Sequence, residues 1–240
     1  MKKTIAAVVC AAAAALSVQA HAEDAKVLRM ACESTYAPFV FFDSETGKLK
    51  GFEIDLLEYV AKEMGRKLEV TNMGFDAIIP SMLTGITDVG ASAFTITPER
   101  AKRVLFSKPY YISGLSILVR AEDKDKIKSV KDIENCTICA QIGTSGSMRA
   151  AKVPGAKVRN FNTINDAYLE LGNKGCKAVI TDRPVTAYFL AARPETAKTY
   201  YHLPTVLNSE SFGFPVSKNK PELMKAIDAV SYTHLRAHET

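Results

Sequence analysis

Short apolar runs alternate with amphipathic helical segments along most of this chain, and that rhythm limits the folds open to it. Val27 to Cys32 is predicted as a strand, and so is Leu68 to Asn72. Between them, Glu53 to Met64 carries apolar residues at helical spacing and is stopped by Gly65. Asp76 is expected to cap the next helix. Strand, helix and strand in this order predict a mostly parallel sheet with helices outside it.

The alternation continues in a second unit that begins after Tyr111. With 47% hydrophobic residues, the chain can bury one large core or the cores of two smaller lobes. The remaining predicted strands are 39–42 and 49–52 (a hairpin turning at Thr46-Gly47), 89–94, 115–120, 137–140, 158–161, 178–181 and 212–216. The remaining predicted helices are 129–133, one starting at 146–151, 165–172, 184–192 and 221–230.

One stretch, Ser92 to Tyr111, combines a strand end, a capped helix and an arginine. Thr97 is a good N-cap, and Pro98 suits the first helical position. Hydroxyl side chains and the free N–H groups of a helix start can bind an anion, and Arg100 can offer two parallel donors to a carboxylate. The stretch is therefore either a carboxylate receptor or an ordinary capped helix with a surface arginine.

The amino terminus is typical of a secretory signal peptide. Lys2 and Lys3 precede an apolar run from Ile5 to Val18, and Ala20 to Ala22 offers the small-residue cleavage site. The run is short for a bilayer span, and no stop-transfer pattern follows it. The mature protein is expected to begin near Glu23, in the periplasm.

Charge argues against a nucleic-acid partner. Losing Lys2 and Lys3 with the signal peptide lowers the formal net charge from +5 to +3, and no basic run is interleaved with aromatic residues.

Histidine is also scarce, since His202 is the one histidine outside the signal peptide and the final ten residues. Zinc sites and histidine-based catalytic triads therefore lack their parts, and we expect no metal and no cofactor.

Four cysteines remain after processing, and in an oxidising compartment an even count favours disulfides. Cys136 and Cys139 have the spacing of a redox or zinc pair, but they lie in a strand-like segment whose residues face alternate sides. We predict a structural disulfide between Cys136 and Cys176, each at the start of a strand in the second unit. Cys32 is expected to be a buried apolar residue.

Several motifs occur in one order across residues 27–230. They are Y-A-P-F (36–39), K-L-K-G-F-E-I-D-L (48–56), G-F-D-A-I-I-P (74–80), T-I-T-P-E-R (95–100), F-S-x-P-Y-Y-x-S-G (106–114), Q-I-G-T-S-G (141–146) and A-V-I-T-D-R-P (178–184). In these motifs the chain resembles the family 3 extracellular solute-binding proteins, the periplasmic receptors for polar amino acids that serve ABC importers.

The resemblance implies a type II periplasmic-binding-protein fold, in which two α/β lobes are joined by two crossing strands near residues 110–113 and 206–210. The implied organisation is a signal peptide at 1–22, lobe 1 at 23–110, lobe 2 at 111–206 and a return to lobe 1 at 207–230. Residues 231–240 do not continue the family pattern and are similar to read-through of a sequencing adapter, so the natural protein is expected to be longer.

The resemblance also assigns partners for the two α-groups of an amino acid. Arg100, assisted by Thr95, is expected to bind the α-carboxylate, with further donors from Ser145 in the second lobe. Asp182 is expected to hold the α-ammonium, although its position also suits a helix N-cap. Ala93 can contribute its carbonyl but no hydroxyl. The loop around Ser145 lacks the lysine of a P-loop and the spacing of a nucleophile elbow.

The ligand side chain is expected between Tyr36 and Phe75, whose alternative role is core packing. Glu33 occupies the position that contacts the distal end of the side chain, and a carboxylate there favours a cation. Asp76 or Gln141 is expected to add polar contacts. Arginine, lysine or ornithine is therefore favoured, followed by glutamine and histidine.

The function implied is capture without chemistry. A monomeric binding protein closes on its amino acid and delivers it to a membrane permease, and ATP hydrolysis belongs to that partner. Two alternatives stay open. A periplasmic cyclohexadienyl dehydratase-like enzyme shares the scaffold and would need Glu33 or Asp182 as its acid. A sensory ligand-binding module would need signalling segments that the sequence does not contain.

Overall fold

Two five-stranded sheets flanked by helices carry residues 26–237, which are the residues that the computed structural model describes. The chain builds a first lobe on one sheet, crosses to a second lobe on the other sheet, and then returns. This confirms the predicted two-lobe α/β fold. The predicted signal peptide lies outside the described residues.

The first lobe is centred on two parallel strand pairs. In spatial order its strands are β5 (Lys67–Asn72), β1 (Val27–Cys32), β6 (Val89–Gly90), β15 (Pro215–Val216) and β7 (Leu105–Phe106). Strand β1 runs parallel to both β5 and β6, whereas the returning β15 is antiparallel to β6 and β7. Because β1 and β6 end at the same edge of the sheet, the segments that follow them emerge side by side.

The second lobe repeats this plan with longer strands. In spatial order these are β11 (Lys157–Phe161), β10 (Thr137–Gln141), β12 (Ala178–Asp182), β9 (Leu115–Arg120) and β13 (Tyr200–Val206). The first three are parallel, and β9 is antiparallel to both of its neighbours. Here too the segments after β10 and β12 leave the sheet at one edge, which faces the cleft.

Helices and a small three-stranded sheet complete the two lobes. The helices are α1 (Phe52–Glu63), α2 (Phe75–Leu83), α3 (Pro98–Ala101), α4 (Ser145–Ala150), α5 (Ile164–Gly172), α6 (Arg183–Ala192) and α7 (Pro221–Ala237). The small sheet consists of β2 (Thr35–Tyr36), β3 (Val40–Phe42) and β4 (Leu49–Lys50), and short 3-10 helices lie at Ala121–Asp123, Val130–Ile133 and Pro194–Lys198. No helix within residues 26–237 has both the length and the hydrophobicity needed to cross a membrane.

The two lobes are joined where the chain crosses between them. Strand β8 (Tyr111–Ser113) pairs antiparallel with β14 (Glu210–Phe212), and this register sets Glu210 opposite Ser113. After β14 the chain adds β15 to the first sheet, and α7 packs against α1. Glu210 is thereby fixed at the junction of both lobes.

Three local predictions are corrected. The strand predicted at 89–94 ends at Gly90, because Ser92 and Ala93 adopt left-handed backbone conformations that cannot continue a strand. Gly74, not Asp76, precedes helix α2, so Asp76 lies inside the first turn. Strand β13 was not predicted, because Leu203 is its one buried residue and the apolar signal is weak.

The predicted disulfide partner of Cys176 was also wrong. Cys139 bonds to Cys176 with their Cα atoms 6.0 Å apart, and Cys136 is a free thiol. Cys139 and Cys176 belong to one apolar cluster with residues of α5. Cys136 precedes β10 by one residue and is three positions from Cys139, so it is directed away from that cluster. Cys32 is free and fully buried, as predicted.

The disulfide predicts a clear difference between single-cysteine variants. It closes a loop with a sequence separation of 37 residues, and a loop of this size contributes about 2–4 kcal/mol to the free energy of unfolding. We expect Cys139→Ala to lose that amount in urea titrations, while the control Cys136→Ala stays at the wild-type value. Equal losses in both variants would contradict the observed pairing.

Candidate functional site

A small cavity lies between the lobes, at the edge where the parallel strands end. It encloses about 170 Å³ of free space, none of it wide enough for a water molecule. Seven of the nine residues predicted to bind ligand line it: Tyr36, Phe75, Ala93, Thr95, Arg100, Ser145 and Asp182. The other two, Glu33 and Gln141, form a neighbouring pair.

A buried carboxylate fixes the loop that follows β6. Ser92 and Ala93 have φ angles of 104° and 52°, and both donate their backbone N–H groups to Glu53, at 2.8 and 3.1 Å. Tyr110 donates its hydroxyl to the same carboxylate. Burial raises the pKa of Glu53 to about 7, although these hydrogen bonds oppose the shift.

Sequence reasoning missed Glu53, but a signal for it exists. It precedes Leu57, Val60 and Ala61 by four, seven and eight positions, so it lies on the apolar stripe of α1. A charged residue on such a stripe is fully buried here, with 0% exposure. Its role is to hold the site loop in a conformation that non-glycine residues rarely adopt.

Arg100 reaches the cavity from α3, whose start matches the prediction. Thr97 caps the helix by accepting a hydrogen bond from the Arg100 N–H group, with Pro98 at the first position. The guanidinium donates to Thr95 O at 2.8 Å and across the cleft to Gly143 O at 3.0 Å. Among described residues it contacts no carboxylate within ion-pair distance, and burial lowers its pKa.

Two aromatic rings support this guanidinium. Phe75 and Phe94 stack with ring centroids 4.4 Å apart, and the Arg100 guanidinium carbon lies 5.4 and 5.1 Å from their centroids. A cation over aromatic faces is stabilised by their electron-rich surfaces. The predicted aromatic Phe75 therefore also positions the arginine, a role that the sequence did not indicate.

Asp182 faces the cavity from the second lobe. It occupies the N-cap position of α6 but makes no side-chain cap bond. Its carboxylate instead accepts the Tyr36 hydroxyl from the first lobe and, at 3.3 Å, the Ser113 hydroxyl. Burial, followed by the nearby Glu210 carboxylate, raises the pKa of Asp182 to about 7. Burial and Asp182 together hold the pKa of Tyr36 well above its usual range.

Glu33 and Gln141 meet from opposite lobes. Gln141 Nε2 donates to Glu33 Oε2 at 2.9 Å and to Asn162 O at 3.0 Å, while its buried Oε1 accepts no bond from any described residue. Thr35 also donates to Glu33, through its N–H and its hydroxyl. Burial raises the pKa of Glu33, against the opposing effect of these bonds.

The hydroxyls of Thr95 and Ser145 approach each other across the cleft, 3.2 Å apart. Both donate to Glu210 Oε2 at 2.8 Å, and Asn208 donates to Oε1 at 2.8 Å. Sequence reasoning did not assign Glu210 to the site, because a single acid in a short crossing strand has no distinguishing pattern.

Asp76, predicted as an alternative to Gln141 for polar contacts, does not line the small cavity. It is exposed beside Gly143 and lines an outer cavity of about 280 Å³ on the far side of Arg100. In the part of the chain that the structure describes, no group of three or more His, Cys, Asp or Glu side chains is arranged to hold a metal ion.

Known proteins match this chain over most of its length. The chain is 33% identical over 193 residues to a probable histidine-binding protein of Campylobacter jejuni, covering 80% of this chain and 73% of that protein. Arginine-bound, truncated ArgBP from T. maritima superimposes with a TM-score of 0.83 at 34% identity, covering 88% of this chain and 98% of that one.

A further solved structure is that of the ancestral amino acid-binding protein AncCDT-1, a precursor of cyclohexadienyl dehydratase. It matches with a TM-score of 0.80 and 34% identity, over 88% of this chain and 90% of that chain. A sequence model of one family matches residues 28–237, which is most of the chain. The protein therefore belongs to the bacterial extracellular solute-binding proteins, family 3.

Proposed function

We propose that this protein captures a cationic L-amino acid in the periplasm and delivers it to the permease of an ABC importer, acting as a monomer. The observation that carries the choice of ligand is the pairing of Glu33 with Gln141. It places a buried carboxylate beside an amide oxygen that lacks a donor. A guanidinium or ammonium group supplies the donors that this pair requires.

The two α-groups of the ligand have complementary partners on opposite lobes. Arg100 of the first lobe carries a positive charge unpaired with any described carboxylate, and Asp182 of the second lobe carries a carboxylate. An amino acid whose carboxylate meets Arg100 and whose ammonium meets Asp182 bridges the cleft. Only the closed state makes both contacts, so binding favours closure.

Entry of the ligand requires the lobes to separate. The cavity enclosed by Tyr36, Phe75 and the charged residues has no room for a water molecule. The crossing pair β8 and β14 is short, at three residues each, and is suited to act as the hinge. Two relatives are named for histidine and arginine, which supports a basic amino acid, whereas another is named for L-cystine.

A thermal-shift panel tests the ligand class. We expect arginine, lysine, ornithine or histidine to raise Tm among the twenty amino acids plus ornithine. A ligand at a hundredfold excess over Kd stabilises the native state by about 2.7 kcal/mol, which is several degrees for a chain of this size. Glu33→Gln should abolish the preference for cations, and Arg100→Lys should weaken every response, because lysine lacks the two parallel donors.

Glu63→Gln is the matched control for both variants, since it removes an exposed carboxylate at the end of α1 that lines none of the cavities described. A response to glutamine alone, retained in Glu33→Gln, would contradict the cationic specificity while leaving the amino acid receptor intact. Silence across the panel would contradict the proposed function itself.

Binding should release a proton near pH 6. The unliganded Asp182 has a pKa of about 7, but the carboxylate must be ionised to hold an ammonium group. Because the ligand binds the deprotonated form, affinity should rise with pH up to about 7 and fall about tenfold per unit below it. Isothermal titration at pH 6 in two buffers of different ionisation enthalpy measures the proton directly, and a repeat at pH 8 should release almost none. Equal heats in both buffers at pH 6 would contradict this assignment.

A dehydratase on the same scaffold is the second candidate, supported by the likeness to a precursor of cyclohexadienyl dehydratase. Its general acid would have to be protonated near neutral pH, as a carboxyl with the raised pKa of Asp182 is. We expect no turnover of prephenate by the purified protein. Turnover that disappears in Asp182→Asn would favour the enzyme.

A further inference from the structure

Glu210 lies inside the site at a point where three parts of the fold meet. Its Oε2 atom accepts the hydroxyls of Thr95 from the first lobe and Ser145 from the second, each at 2.8 Å. Its Oε1 atom accepts Asn208 Nδ2 of the crossing segment, also at 2.8 Å. The side chain is buried, with 9% exposure, so these contacts fix the carboxylate in place.

The same donors are the ones that an amino acid carboxylate needs. Thr95 and Ser145 were assigned to the ligand carboxylate together with Arg100, and the Glu210 charge acts on the Arg100 guanidinium. A glutamate side chain and an amino acid end in the same chemical group, with the same geometry and charge. Two carboxylates cannot share one oxygen position, and they repel each other strongly in a buried site.

We propose that Glu210 is an internal carboxylate ligand of this receptor, and that an amino acid binds by displacing it. The inference rests on the proposed function for the identity of the incoming group. Thr95 and Ser145 then exchange one carboxylate for another, so the ligand gains little from these two hydroxyls. While Glu210 occupies this position, it disfavours ligands that carry an α-carboxylate. Glu210 is therefore a residue that determines specificity.

A basic cavity beside the site can receive the displaced side chain. This cavity, of about 720 Å³, is lined by Glu210 and Ser145, by the acidic Glu99, and by the cationic residues Lys102, Arg149 and Lys152. None of these three cations forms an ion pair with a residue that the structure describes. Rotation of the Glu210 side chain away from the Thr95 and Ser145 hydroxyls therefore brings its carboxylate toward positive charges.

Substituting Glu210 should separate amino acids from their decarboxylated amines. We expect Glu210→Gln to bind L-arginine at least about tenfold more tightly than the wild type, because the competing carboxylate is gone, a change of about 1.4 kcal/mol. Agmatine has no carboxylate to compete and loses a nearby negative charge, so its affinity should not rise. Titration calorimetry of both ligands measures the difference, with Glu63→Gln, an exposed carboxylate at the end of α1 that lines neither cavity, as the charge-matched control in which neither affinity changes.

Unchanged or weaker arginine binding in Glu210→Gln, or an equal gain for agmatine, would overturn the proposal. If L-lysine or L-histidine proves to be the ligand, cadaverine or histamine replaces agmatine. A generally damaged fold would weaken both members of each pair and could not tighten the binding of the amino acid alone.

A measurement without ligand tests the same contact if the proposed function fails. Because Glu210 links hydroxyls of both lobes, the unliganded wild type should scatter X-rays as a closed particle with a radius of gyration of roughly 17 Å. Glu210→Gln and Glu210→Ala should both expand it, and Glu63→Gln should not. An unliganded wild type as expanded as both variants would exclude Glu210 as an internal ligand.

Discussion

Three carboxyl groups and one guanidinium group are buried where the two lobes meet. The hydrogen bonds that offset the cost of burying these groups govern the structure around them. The four groups belong to Glu33, Arg100, Asp182 and Glu210. A charge removed from water is costly unless opposite charge or hydrogen bonds surround it. Here the compensation crosses the cleft, because Arg100 donates to Gly143 O, Tyr36 donates to Asp182 and Gln141 donates to Glu33. Separating the lobes therefore exchanges each of these contacts for water, and the closed arrangement depends on polar complementarity.

The shape of the site depends in turn on Glu53. A left-handed conformation costs roughly 1–2 kcal/mol for a residue with a side chain, and both Ser92 and Ala93 adopt one. Their N–H groups are held by an ionisable carboxylate in the first turn of α1, a helix anchored in the first-lobe core by Leu57 and Val60. The strain in the binding loop is thus balanced by a group that belongs to the rigid part of the lobe.

The sequence predicted elements whose signal is local. The Thr97 cap follows from residue types at adjacent positions, and the strand from Leu115 to Arg120 follows from a mostly apolar run that is buried at every position. The early end of β6 was not predictable, because its apolar run continues to Phe94 and only Glu53, 39 residues away, stabilises the turn. Glu210 was missed for a related reason, since its partners come together only when both lobes are folded and closed.

Resemblance predicted nine ligand-binding residues, and the structure adds what each contacts before a ligand arrives. In the proposed binding mode, the α-groups of the ligand replace hydrogen bonds that protein groups make in its absence. An ammonium replaces the Tyr36 hydroxyl at Asp182, and in the proposed displacement a carboxylate replaces Glu210. Exchanged hydrogen bonds contribute little net free energy.

The distal end differs, because Gln141 Oε1 is a buried acceptor with no donor among the described residues. A ligand that supplies a donor there gains a hydrogen bond and removes the cost of an unsatisfied buried group, which is about 1–3 kcal/mol. A ligand can shift the balance between open and closed lobes only by its differential affinity for the two. Discrimination between amino acids should therefore arise at the far end of the side chain, at Glu33 and Gln141, whereas the α-groups that all amino acids share determine whether the cleft can close at all.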